Sequence, residues 1–216
     1  MQEPTRLVLL RHGETAWNAE TRIQGQLDVP LNARGFWQAG RLAQALAGEA
    51  FDAIYSSDLA RAHATAQAVA RAQGLPVQAD PALRERGFGR FEGLTYAEIE
   101  ERYAEEAQRW RRREAGFGPG GGEPLAAFYA RSVAAVMRCA ARHPGQSIAV
   151  VAHGGVLDCL HRAAAGVALD APRSWQLGNA AINRLLFVEG RFVLIGWDDR
   201  SHLEGAEPGA AASGLE

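Results

Sequence analysis

At 216 residues, with 47% hydrophobic and 22% charged side chains, the chain has the make-up of one well-buried soluble domain, which excludes the disordered and membrane classes. A formal charge of −2 excludes a general nucleic-acid binder, so any anion site must be a local cluster of cations. The N-terminal apolar run, Leu7 to Leu10, is too short for a signal segment or a membrane span, and a cytoplasmic protein without a membrane partner is expected.

The first strand, "RLVLL" (6–10), runs straight into Arg11-His12-Gly13. A helical stretch (31–49) follows, then a second strand (51–57) ending in Ser56-Ser57-Asp58, and a helix (58–74) capped by Ser57 or Asp58 with Arg61 in its first turn. From about residue 86 to 122 the rhythm breaks: Gly-rich ends flank one polar helix, "TYAEIEERYAEEAQRWRRREA", which reads as a cap inserted over the sheet. A long helix (123–145), the strand "SIAVVA" (147–152), a helix (155–166) and two strands (182–189 and 191–197) meeting at Glu189-Gly190 complete the pattern. Alternating strands and helices imply an α/β fold, a mainly parallel sheet covered on both faces, with an antiparallel hairpin at its edge. The chain reads as one domain (1–204) with a disordered tail (205–216). Cys139 and Cys159 lie in helical patterns without CxxC spacing and read as reduced, buried thiols.

In an open α/β sheet, ligands bind beyond the carboxyl ends of the strands. Arg11 and His12, then Arg61, then His153-Gly154-Gly155 all fall at such ends, and Glu85 lies in the loop that enters the insertion. A cation in the first turn of a helix opposes the macrodipole, so Arg61 stands where only a ligand would want it. Two guanidiniums and the free amides of Gly154 and Gly155 match a phosphoryl group in charge and geometry. Between those cations the His12 imidazole stays neutral and can attack phosphorus, with Glu85 as the acid for the leaving oxygen. Arg11, Arg61 and His153 balance the transition-state charge, so the scheme calls for no metal and no cofactor.

Four motifs, "RHGETAWN", "SSDLARAHATA", "LRERGFGRFEGLT" and "VAHGG", occur in that order and together resemble the histidine phosphatase superfamily, also called phosphoglycerate mutase-like, over roughly residues 5 to 203. The resemblance implies a three-layer α/β/α sandwich with a doubly wound sheet. It also implies His12 as the phosphorylated nucleophile, Glu85 as the proton donor, and Arg11, Arg61 and His153 around the phosphate. Asn18 and the Gly154 backbone match positions that touch phosphate, and Gln24 and Gly25 match a loop that borders the substrate. The stretch "RGFGRFEGLT" looks like the phosphatase branch, which implies hydrolysis of a small phosphorylated metabolite. Phosphoryl transfer of the mutase type and an idle phospho-ligand binder are the alternatives, and oligomeric state, a homodimer included, stays open.

Other features read as ordinary structure. His63, His143 and His161 sit in helical stretches or helix ends, "RWRRRE" (109–114) is a solvated helix face with an anion-attracting role as its alternative, and "WDDRSH" (197–202) is a surface turn. "GFGPGG" (116–121) fits a dinucleotide fingerprint by letters alone, but it follows a helix and contains Pro119, so it reads as a flexible hinge of the cap.

Overall fold

In the computed structural model, which describes residues 3–205, strand β1 (Thr5–Arg11) sends Leu7 and Leu9 to one helical layer and Val8 and Leu10 to the other. All four are buried. A strand covered on both faces has no polar side, which is why it reads as a continuous apolar run. After the short helix α1 (Ala16–Ala19), helices α2 (Ala33–Ala45) and α3 (Ala60–Gln73) form one layer, with Leu42, Ala62, Ala66 and Val69 against Val8, Leu10 and Ile54. Helices α6 (Leu125–Ala141) and α7 (Gly154–Ala165) form the other, with Phe128, Val136, Leu157 and Leu160 against Leu7, Leu9, Ile148 and Val150. Each fully buried Leu, Val or Phe stabilises the sandwich by about 1.5–3 kcal/mol relative to exposure.

The sheet has six strands in the order β3-β2-β4-β1-β5-β6, where β2 is Ala53–Ser56, β3 Val77–Ala79, β4 Ser147–Ala152, β5 Ile182–Val188 and β6 Arg191–Asp199. The first four in that order pair in parallel, whereas β5 runs antiparallel to both β1 and β6, so the expected hairpin lies at the edge. The register sets Arg11 opposite Ala152 and Ser56 opposite Val151. His12, Ser57 and His153 therefore leave three adjacent strands at one level. The short strand β3 has no sequence signature of its own. Strand β6 runs on to Asp199, so the first half of "WDDRSH" is strand and not turn.

The insertion departs from the expectation twice. Its polar helix is two helices, α4 (Tyr96–Arg102) and α5 (Ala104–Arg111), broken at Tyr103, whose ring stacks on the buried Phe91 with centroids 5.5 Å apart. The segment read as a flexible hinge is a packed turn. Pro119 and Gly120 are buried, and the amide of Glu123 donates to the Gly87 carbonyl at 2.8 Å. A Cβ on Gly89 would lie 2.2 Å from the Gly120 carbonyl oxygen, so glycine there allows two backbone segments to touch. The tail beyond Gly205, read as disordered from sequence, lies outside the described residues. Among the described residues no helix is long and apolar enough to cross a membrane.

Candidate active site

His12 is 3% exposed, and its amide donates to the Ala152 carbonyl at 3.0 Å. Its Nδ1 lies 2.7 Å from the Gly13 carbonyl oxygen. A carbonyl only accepts, so Nδ1 carries the proton and Nε2 holds the free lone pair. Burial pushes the imidazolium form well below the ordinary histidine range, and the charges of Arg61 and Arg11 push it further. The ring is thus a neutral base aimed by its own backbone. The Asn179 amide donates to the His12 carbonyl at 3.1 Å and holds the turn from the far end of the chain.

His153, fully buried, stands beside it with ring centroids 5.2 Å apart. Its Nε2 lies 2.8 Å from the Ser57 hydroxyl. Burial and then Arg61 and His12 keep it neutral as well. Arg61 is 1% exposed, and its guanidinium donates to the carbonyls of Leu27 at 2.9 Å and Gly25 at 2.8 Å. Arg11 donates to the Leu177 carbonyl, and burial brings its pKa down to about 10. Three buried nitrogens, Arg11 Nε, Arg61 Nε and His153 Nδ1, have no hydrogen-bond partner among the described residues.

Two local expectations are corrected. The helix that carries Arg61 is capped neither by Ser57 nor by Asp58: Leu59 holds the N-cap position, and the Ala60 amide donates to Asp28 at 2.7 Å. Ser57 instead serves His153, and Asp58 pairs with Arg84. The Gly154-Gly155 amides do not both stay free, because Gly155 donates to Glu85 Oε2 at 2.9 Å. Arg86 donates to Oε1 at 2.8 Å, so two backbone amides fix the plane of the Glu85 carboxyl. A Cβ on Gly155 would fall 2.1 Å from Glu85 Oε1. The second glycine therefore makes room for a carboxylate, and only Gly154 presents an uncommitted amide to the cavity.

Arg11, His12, Asn18, Gln24, Gly25, Arg61, Glu85 and Gly154 line one cavity of about 640 Å³; His153 is not among the lining residues, but its ring neighbours that of His12. Asn18 forms a capping box with Thr15 at the start of α1, and Gln24 accepts from the Thr15 hydroxyl at 2.9 Å. Gly25, at φ +54, turns its carbonyl to Arg61 in a conformation that glycine adopts without strain. The cavity also has walls that the sequence did not indicate: Arg22, Arg86, Arg173 and Asp158, and an aromatic face of Phe88, Tyr96 and Trp110. From "RWRRRE", Arg111 and Arg113 border the cavity, each paired with a carboxylate, Glu100 and Asp158. His143 bonds the Tyr55 hydroxyl at 2.9 Å, His161 stacks on Trp175 at 3.9 Å, and neither lines the cavity. Burial pushes the thiols of Cys139 and Cys159 well above their ordinary range, so both are inert.

A family model described as histidine phosphatase superfamily (branch 1) matches residues 7–200. The chain is 40% identical over 213 residues to phosphoglycerate mutase-like protein 4 of Arabidopsis thaliana, which covers 97% of this chain and 90% of that protein. It is 37% identical over 204 residues to the metal-independent phosphoserine phosphatase of Arabidopsis thaliana, covering 93% and 84%. Among solved structures it is similar to a phosphoserine phosphatase from Entamoeba histolytica in complex with 3-phosphoglyceric acid, with a TM-score of 0.83 and 30% identity over 92% of this chain and 99% of that one.

Proposed function

The chain belongs to the histidine phosphatase superfamily, branch 1, and works as a phosphatase through a phosphohistidine; on that premise we propose that His12 carries the phosphoryl group, Glu85 moves the proton, and Arg11, Arg61, His153 and the Gly154 amide hold the phosphoryl oxygens. The observation that carries this reading is the set of three buried donors without a partner, Arg11 Nε, Arg61 Nε and His153 Nδ1. A buried donor is costly unless something accepts from it, and a phosphoryl group supplies acceptor oxygens.

The reaction runs in two halves. Nε2 of His12 attacks phosphorus as the ester P–O bond breaks opposite it, and the leaving oxygen takes the proton of the Glu85 carboxyl. The positive charge that develops on the ring is shared with the Gly13 carbonyl through Nδ1–H. Water then attacks phosphorus and gives its proton to the Glu85 carboxylate, which releases inorganic phosphate, neutral His12 and a protonated Glu85. Arg11 and Arg61 serve twice: their charge adds to burial in keeping the ring unprotonated before substrate arrives, and it stabilises the equatorial oxygens as the phosphoryl passes.

Hydrolysis is favoured over transfer back to a bound phospho-acid by the phosphatase-like stretch "RGFGRFEGLT" and by the similarity to the metal-independent phosphoserine phosphatase. Inorganic phosphate release is expected from a panel of phosphorylated metabolites without added metal. Brisk phosphoglycerate isomerisation in the presence of bisphosphoglycerate, with negligible phosphate release, would replace this reading by the mutase one.

A further inference from the structure

Residues 84–88, which deliver Glu85 to the cavity, belong to no helix or strand, so no regular backbone ladder fixes where its carboxyl stands. What fixes it comes from α6. Arg131, half-buried on that helix, turns its guanidinium to three carbonyls of the Glu85 segment. Its Nη1 donates to Ala82 at 2.8 Å and to Arg84 at 3.0 Å, and its Nη2 donates to the carbonyl of Glu85 itself at 3.3 Å. The other two N–H groups close on one carboxylate, Nε on Glu123 Oε1 at 2.9 Å and Nη2 on Oε2 at 2.7 Å. Every donor of the planar fork is thus engaged, an arrangement that the three rotatable donors of a lysine cannot copy.

Glu123 grips the same segment from its other side. Its carbonyl accepts from Arg86 Nε at 2.8 Å, and its amide donates to the Gly87 carbonyl at 2.8 Å. The chain is therefore clamped before, at and after Glu85 by two residues that do not line the cavity. The amides of Arg86 and Gly155 that set the plane of the carboxyl can reach it only while the segment keeps this position. An ion pair on a helix surface needs one carboxylate and no more. Three backbone carbonyls gathered around a single acidic residue serve that residue.

We propose that Arg131, oriented by Glu123, is the positioning residue for Glu85: it holds the carboxyl where its proton meets the leaving oxygen. The proposal rests on the reading of Glu85 as proton donor. Arg131 touches neither substrate nor reacting atoms and acts through Glu85 alone.

The test pairs two esters whose leaving groups differ in their need for a proton: phenyl phosphate, whose phenoxide leaves poorly without one, and 2,4-dinitrophenyl phosphate, whose anion leaves unaided. The readout is kcat/KM for phosphate release, which reports the half-reaction that forms the phosphohistidine. Arg131→Gln is expected to lose about 10² on phenyl phosphate and no more than about threefold on the dinitrophenyl ester, with Glu123→Gln moving in the same direction and Glu85→Gln showing the same selectivity. Both esters meet the same preparation, so a loss of folded enzyme would lower the two equally. In the Glu85→Gln background, Arg131→Gln is expected to add no further selective loss. Equal losses on both esters in Arg131→Gln, or no loss on either, while Glu85→Gln stays selective, would overturn the positioning role and leave Glu85 as the donor. A Glu85→Gln variant that loses both esters equally would overturn the proton-donor reading and the proposal with it.

Discussion

At the residue scale the site depends on two imidazoles kept neutral by burial and by neighbouring guanidiniums. An unfolded histidine binds its proton near pH 6.5, and folded His12 and His153 do so only well below that. Between those limits the unfolded chain takes up more protons than the folded one, so stability falls as pH falls. Each ring contributes up to about 1.4 kcal/mol per pH unit in that window. Thermal unfolding in phosphate-free buffer is therefore expected to show a Tm that drops from pH 7 to pH 5, with a shallower slope in His153→Asn. A Tm independent of pH over that range would contradict the buried, neutral assignment. For Glu85, replacement by Gln removes the proton donor while keeping its size. Steady-state kinetics are expected to show kcat lower by about 10²–10⁴, and an unchanged kcat would move the acid role elsewhere.

At the element scale, α7 begins where the catalytic carboxyl is held. Gly155→Ala would put a Cβ 2.1 Å from Glu85 Oε1 and 3.0 Å from the Phe128 ring, so the carboxyl must shift. A displacement on the order of 1 Å costs about 10² in rate, and a kcat close to wild type would show that Glu85 tolerates the move. Farther along α7, Asp158 accepts from Arg162 at 3.0 Å and from Arg113 at 2.8 Å, tying the cap to a helix whose arginine has no exposed side-chain surface. Asp158→Ala strands that buried charge and is expected to cost about 3–5 kcal/mol by urea denaturation. Elements of this kind were legible to different degrees. β1 and β4 announce themselves by apolar runs because both faces are buried. β3 does not, since three residues at a sheet edge, two of them exposed, carry no periodicity. The break at Tyr103 was hidden because an unbroken helical pattern continues through it, and what interrupts the helix is a tertiary contact with Phe91.

At the scale of the whole molecule, the sheet gathers chemistry that the sequence scatters. The strand ends that present His12, Ser57 and His153 come from the first, second and fourth strands in chain order, brought level by parallel pairing. Residues held at those ends were readable, because Arg, His and paired glycines are out of place after an apolar strand. Arg22, Arg173 and Asn179 were not, since a single polar residue in a loop looks alike whether it faces solvent or a cavity. Which wall it joins is decided by the packing of cap and C-terminal loop. The central claim is that phosphate passes through one nitrogen of this assembly. Rapid quenching of the enzyme with a ³²P-labelled phosphomonoester tests it most directly. The expected result is an acid-labile, base-stable label confined to the peptide that contains His12 and absent from His12→Ala. A label that survives acid, or one that persists in His12→Ala, would contradict the account.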